Sequence, residues 1–146
     1  MSDAPLPPEL EAFLNVQRIA RLATVDERAR PHVVPVCFAY AGGIIYIALD
    51  AKPKRVPVRE LRRVRNLTAN PSVQLLIDVW DEDWSKLGYL QLRGTASVIE
   101  PGPEQAEAVR LLRARYPQYV AMAIDYAPVI RIAVEGYNSW GGTGGP

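Results

Sequence analysis

Residues 19–49 read IARLATVDERARPHVVPVCFAYAGGIIYIAL, and the pattern in this segment predicts the fold class. Its three apolar runs, at 19–25, 31–40 and 44–49, are rich in β-branched residues and predict three strands. A polar turn separates the first two runs, and Ala41-Gly42-Gly43 supplies a tight connection to the third. Strands joined by connections this short are predicted to pair antiparallel.

Six strands in hairpin order, with helices inserted after the third and fifth, are predicted for the whole chain. The further elements are a helix at 8–17, a helix at 59–69, strands at 73–80 and 89–99, a helix at 103–115 and a last strand at 129–134. This order lacks the βαβ alternation of a parallel sheet and favours an antiparallel barrel with flanking helices. We expect one domain over residues 1–146, with 1–8 and 141–146 flexible.

Composition places the chain among ordinary globular proteins, with 49% hydrophobic and 23% charged residues in 146. No apolar run approaches the roughly 20 residues of a membrane span. The first five residues lack the basic and apolar regions of a signal peptide. These features predict a cytoplasmic protein without a membrane partner.

Positive charge is concentrated in residues 52–65, which hold seven of the 17 Lys and Arg residues and one acid, Glu60. This segment carries a formal charge of +6, whereas the whole chain carries +1. Cations that follow a strand and lead into a helix are well placed to bind a phosphate. The near-neutral total argues against a nucleic-acid-binding protein.

Few side chains suit acid–base, covalent or metal chemistry. His32 is the only histidine and Cys37 the only cysteine, so a metal site is not expected. Cys37 lies in an apolar strand and is interpreted as an inert thiol. No residue is assigned as catalytic, and an enzyme of this composition would depend on a cofactor for its chemistry.

An ordered set of motifs resembles the pyridoxamine 5′-phosphate oxidase-like split-barrel superfamily. The residues that carry this resemblance are Ala20-Arg21-Leu22-Ala23-Thr24-Val25, Arg30-Pro31-His32-Val33-Val34-Pro35-Val36, Ile44-Ile45-Tyr46-Ile47, the basic segment, Arg65-Asn66-Leu67, Asn70-Pro71-Ser72-Val73, Gly94-Thr95-Ala96 and Trp140. The chain looks most similar to the branch of coenzyme F420 (deazaflavin)-dependent enzymes. The resemblance covers residues 9–140 and implies a six-stranded split β-barrel of Greek-key type, a homodimer, and a flavin-type cofactor between subunits.

The resemblance places the cofactor phosphate near the loop after the third strand. The residues implied there are Lys52, Lys54 and Arg55, with Arg59 or Arg62 within reach. A phosphate dianion is best held by several charge-assisted hydrogen bonds, and these cations can donate them.

The cofactor ring is implied to lie along the second strand. Pro35 lacks an N–H, so its strand must have an edge or a bulge there, where a ligand can approach backbone. The residues implied for the ring are Val33, Val34, Pro35 and Val36, with Thr24, Ala48, Leu49 and Asp50 as further contacts and Trp140 as a cover from the partner subunit.

The function implied is hydride transfer between coenzyme F420 and an unidentified small organic substrate. FMN is the alternative cofactor, and a non-catalytic flavin or deazaflavin carrier is the alternative function. The arginines at 59–65 favour F420, whose anionic tail is longer than that of FMN. Haem, which relatives of this fold bind, would have only the imidazole of His32 available.

Overall fold

The computed structural model describes residues 6–49 and 61–142, which form three α-helices and a seven-stranded antiparallel sheet. The helices are α1 (Pro8–Val16), α2 (Arg62–Ala69) and α3 (Pro103–Arg115). The strands are β1 (Ala20–Val25), β2 (Pro31–Val36), β3 (Ala39–Ala41), β4 (Ile44–Ala48), β5 (Ser72–Val79), β6 (Gly88–Ile99) and β7 (Val129–Gly141). In the described part of the chain, no helix has the length and apolar character needed to cross a bilayer.

The sheet curls on itself because its two edge strands are neighbours in sequence. The strand order is β2-β1-β5-β6-β7-β4-β3, so β2 and β3 lie at opposite edges. Only Cys37 and Phe38 separate these strands, and three peptide steps span at most about 11 Å. The two edges must therefore face each other, which gives a barrel that is open at one seam.

The prediction of six strands was wrong, because the run 31–40 is two strands rather than one. At the break the chain leaves β1 and turns to pair with β4, and Phe38 is fully buried between the two strands. The N–H of Phe38 donates to the hydroxyl of Tyr116 (3.1 Å), and its carbonyl accepts from Arg115 Nε (2.8 Å). Residues 77 and 78 positions away therefore satisfy the backbone at the break, so a local pattern could not reveal it.

Arg115 connects three parts of the fold. Besides the Phe38 carbonyl, its guanidinium donates to the carbonyls of Asn15 (2.8 Å) and Gln17. It also lies 4.7 Å from the centre of the Phe38 ring and 5.4 Å from that of Tyr116. The end of α3 is thereby joined to the end of α1 and to the β2–β3 break.

The barrel interior is the main hydrophobic core, and two helices add to it. Leu10 and Leu14 of α1 and Val64 and Leu67 of α2 pack with the inward side chains of the strands. The strands show the alternating burial of a sheet with one buried face, as in β5. A second apolar cluster lies under α3, against β3, β4 and the start of β7.

The last strand is longer than the predicted 129–134 and contains a β-bulge. It runs to Gly141, and its register with β6 shifts between Arg93 and Gly94, which leaves Glu135 as the extra residue. A Cβ at Gly94 would lie 2.3 Å from the carbonyl oxygen of Ala133. The close approach of the two backbones therefore requires glycine at this position.

Candidate functional site

Most residues predicted for the phosphate lie outside the described part of the chain. They are Lys52, Lys54, Arg55 and Arg59, and Asp50, which is predicted as a contact of the cofactor ring, also lies outside the described residues. The assignment of the four cations to the phosphate, and of Asp50 to the ring, stays a prediction.

Arg62 is described and lies exposed in the first turn of α2. Arg65, one turn further on, is also exposed and lines a shallow depression of about 400 Å³ together with Val64, Thr68 and Ala69. Residues three apart share a helix face, so the two guanidinium groups lie on the same side of α2. This helix carries no acid to neutralise them.

The four residues predicted for the cofactor ring divide between two faces of β2. Val34 and Val36 pack toward the barrel core, whereas Val33 and Pro35 point outward. Only Val33 and Pro35 therefore present side chains to a ligand on the outer face. Pro35 predicted an edge or a bulge, and the structure shows an edge: β2 is the first strand in the sheet order, so its backbone has no partner strand on the side away from β1.

Thr24 is buried at the end of β1, and its hydroxyl accepts a hydrogen bond from Asn66 Nδ2 of α2 (3.1 Å). Both side chains are at most 2% exposed. Asn66 therefore faces inward from α2, unlike the exposed arginines on the same helix. This buried bond fixes α2, with its exposed arginines, against the end of β1.

Ala48 and Trp140 lie on β4 and β7, neither of which pairs with β2. Ala48 is buried beneath α3, where it pairs with Val129. Trp140 is 54% exposed near the end of β7 and stacks on Tyr89, with ring centres 6.1 Å apart. This stacked pair lies away from the groove described next, because Tyr89 precedes the groove residue Arg93 by four residues, or roughly 13 Å along β6.

A groove of about 480 Å³ lies against the outer face of the sheet. One cross-strand row forms its middle: Ala23 pairs with Gln74, and Gln74 pairs with Arg93. Val33 extends this row on β2 through its pairing with Ala23. The lining residues are Ala23, Thr24, Val25, Pro31, Ser72, Val73, Gln74, Arg93, Gly94 and Glu135.

The groove combines apolar walls with a few polar groups, and its size is typical of sites for small molecules. Of the predicted site residues, Thr24 is the one that lines it, while Val33 adjoins it. Arg93, Gln74 and Glu135 were missed. The sequence does carry one signal for Arg93, which is a charged residue between Leu92 and Gly94 in the middle of a long strand.

A hydrogen-bonded turn borders the groove where β1 leads into β2. Asp26 Oδ1 accepts from the backbone N–H groups of Arg28 (2.8 Å) and Arg30 (3.0 Å), and Oδ2 accepts from Arg30 Nε (2.7 Å). The Arg30 backbone bond is the largest of the causes that lower the pKa of Asp26 to about 2. This turn also holds Ala29 at a φ of 61°.

The Asp26 turn makes stability depend on pH. Because the folded pKa is depressed, the carboxylate stabilises the fold above its unfolded pKa of about 3.9, and this contribution is lost as pH falls toward 2. We expect Asp26→Asn to lower the melting temperature by a few degrees at pH 7. The difference from the natural protein should shrink between pH 4 and pH 2 in thermal melts. Glu27→Gln in the same turn is the control. A difference in melting temperature between Asp26→Asn and the natural protein that stays constant with pH would contradict the role given to the Asp26 carboxylate.

Tyr46 is held in a structural network away from the groove. Its hydroxyl donates to Glu104 Oε2 (2.7 Å), which also accepts from Arg131 Nε (2.7 Å). Burial, together with this bond, raises the pKa of Tyr46 to about 12. The tyrosine therefore stays protonated at neutral pH and fastens α3 to the sheet.

His32 pairs with Thr24, so both side chains occupy the same face of their strands. Its Nδ1 is buried and has no hydrogen-bond partner among residues 6–49 and 61–142. Within those same ranges, no group of three or more His, Cys, Asp or Glu side chains is arranged to hold a metal ion.

The chain belongs to the pyridoxamine 5′-phosphate oxidase family, whose model matches residues 6–141. The antiparallel sheet and its open seam are consistent with the split barrel of that family. The expected resemblance is thereby confirmed at the level of family and fold. A search of curated proteins finds no significant match.

Solved structures share this fold. A conserved hypothetical protein of Mycobacterium tuberculosis is 20% identical with a TM-score of 0.76, and the match covers 97% of this chain and 89% of that one. HutZ, a haem storage protein of Vibrio cholerae, is 19% identical with a TM-score of 0.69 and coverages of 93% and 94%. An F420 reductase is 23% identical with a TM-score of 0.67 and coverages of 91% and 98%. At these identities the likeness shows the fold alone.

Proposed function

We propose that the whole chain is one cofactor-binding domain of a cytoplasmic F420-dependent oxidoreductase, which transfers a hydride between the deazaflavin and a small organic substrate. The observation that carries this proposal is the hydrogen bond from Asn66 to Thr24, which joins the basic helix α2 to the wall of the groove. A flat ring in the groove and an anionic tail along α2 would then belong to one molecule. Membership of the family and its fold likeness to an F420 reductase support the same conclusion.

The residues present fit such a cofactor at both ends. Arg62 and Arg65 offer exposed guanidinium groups for an anionic tail, and the groove offers Ala23, Val25 and Pro31 for a ring face. Lys52, Lys54 and Arg55 remain the proposed phosphate ligands. When bound, the deazaflavin supplies the hydride, while the protein orients the ring and substrate and excludes water between them.

A homodimer with cofactor sites at the subunit interface is part of the proposal. Large apolar side chains are exposed near one end of the sheet, where the end of β5 and the start of β6 meet the end of β7. They are Trp80, Trp84, Tyr89 and Trp140. Aromatic side chains are enriched at protein interfaces, and a cluster of this kind is a candidate for subunit contact.

Titration of the purified protein with F420 and with FMN, followed by ligand fluorescence, tests the proposal. We expect tighter binding of F420, because the arginines of α2 add contacts that the shorter FMN cannot use. Tight binding of FMN without binding of F420 would identify FMN as the cofactor. Binding of neither would overturn the proposed function. Stoichiometric F420 binding without hydride transfer to any acceptor would indicate a carrier.

A further inference from the structure

Arg93 has an unsatisfied donor at the groove. Its Nε is buried and, in the part of the chain that the structure describes, has no hydrogen-bond partner. A buried polar group without a partner is costly, and a guanidinium has five N–H donors to satisfy. Its neighbour on β7 is Gly136, which has no side chain to meet it. An acceptor from outside the described residues is therefore expected at this position.

Glu135 brings an acceptor into the same groove. The β-bulge places it beside Gly136, opposite Arg93, and its Oε1 accepts from the Thr95 hydroxyl (2.9 Å). Glu135 and Arg93 form no ion pair with each other, although both line the groove. A donor and an acceptor are thus both available to one ligand.

This arrangement suits a neutral ligand edge better than an anion. A carboxylate or phosphate beside Arg93 would be repelled by Glu135, whereas an edge with alternating acceptor and donor groups can use both residues. Gln74, which pairs with Arg93, adds an amide that can donate or accept. Ala23, Val25 and Pro31 provide apolar contact for a flat ring.

We propose that the groove binds the imide edge of a flat heterocycle, the C=O, N–H, C=O edge at the pyrimidinedione end of a flavin or deazaflavin. Arg93 donates to a ring carbonyl, and Glu135 accepts from the ring N3–H. The inference rests on the proposed function and assigns that edge to side chains of β6 and β7. The family resemblance instead implies that the ring lies along β2.

Riboflavin and N3-methylriboflavin are suitable probes, because neither carries a phosphate and they differ at the one N–H that Glu135 would bind. Loss of a single hydrogen bond to a charged group corresponds to about tenfold in affinity. We expect the natural protein to prefer riboflavin by about that factor in fluorescence titrations. Glu135→Ala should abolish the preference, and Arg93→Met should weaken both ligands about tenfold.

Arg21→Met is the matched control, since Arg21 is also a strand arginine but pairs with Asp78 (2.8 Å) outside the groove. Equal affinity of the natural protein for the two probes would overturn the inference, and this comparison requires no variant to fold. Unchanged riboflavin binding by a folded Arg93→Met protein would also overturn it while leaving the proposed function intact. Failure of the natural protein to bind riboflavin, FMN and F420 would overturn both.

Discussion

Replacing Lys54 and Arg55 together by glutamine is expected to weaken the binding of F420 and FMN by about 100-fold. Each charge-assisted hydrogen bond to a phosphate contributes about 1.5–3 kcal/mol, so two of them account for at least this factor. Riboflavin, which has no phosphate, should bind the variant as well as it binds the natural protein. Fluorescence titration of the three ligands gives the comparison directly.

A control variant with the same change in charge is Lys86→Gln with Arg110→Gln. Lys86 lies in the 3-10 turn Trp84–Lys86, and Arg110 is an exposed residue of α3 paired with Glu107. Neither residue lines the groove, so this control variant should bind F420 and FMN as tightly as the natural protein does. An equal loss of affinity in the control variant would show that the effect comes from net charge. Full affinity of the Lys54/Arg55 variant would show that the basic segment does not bind the cofactor phosphate.

Arg115→Met is expected to destabilise the fold by about 3 kcal/mol. The change removes hydrogen bonds to the carbonyls of Asn15, Gln17 and Phe38, and it removes the contact of the guanidinium with the Phe38 ring. Carbonyl groups that lose their donor each cost about 1 kcal/mol or more when water cannot replace it. The free energy of unfolding from urea titration measures this loss.

Arg110→Met is the matched control for this experiment, because it lies on the same helix. Its ion pair with Glu107 is exposed on both sides, and such pairs contribute at most about 1 kcal/mol. Equal stability of the two variants would show that Arg115 does not hold α1 and the β2–β3 break together. A Tyr116→Phe variant, which removes the hydroxyl that accepts from Phe38, should lie between them.

Local patterns in the sequence predicted much of the fold. The alternating runs of β1, β4, β5 and β6 and the helical spacing of α1 and α3 agree with the structure to within two residues at their ends. Pro35 indicated an edge or a bulge, because a residue without an N–H is excluded from a central ladder, and the structure shows the edge. These features depend on neighbouring residues, so the sequence alone can display them.

The break at Cys37 and Phe38 and the seventh strand were missed for a different reason. Phe38 has its backbone satisfied by Arg115 and Tyr116, which lie on the end of another element. The bulge at Glu135 likewise follows from the close contact of β6 and β7 at Gly94. Neither feature has a local signature.

The family, the strand-rich architecture and the concentration of positive charge in residues 52–65 can all be recognised from the order of residues along the chain. Which residues share a surface depends on the folded arrangement of the strands. Val34 and Val36 face inward, and Gln74, Arg93 and Glu135 from three strands line one groove. The physical reason is that strand register sets which side chains are neighbours across a sheet, and register depends on the pairing of segments far apart in the chain.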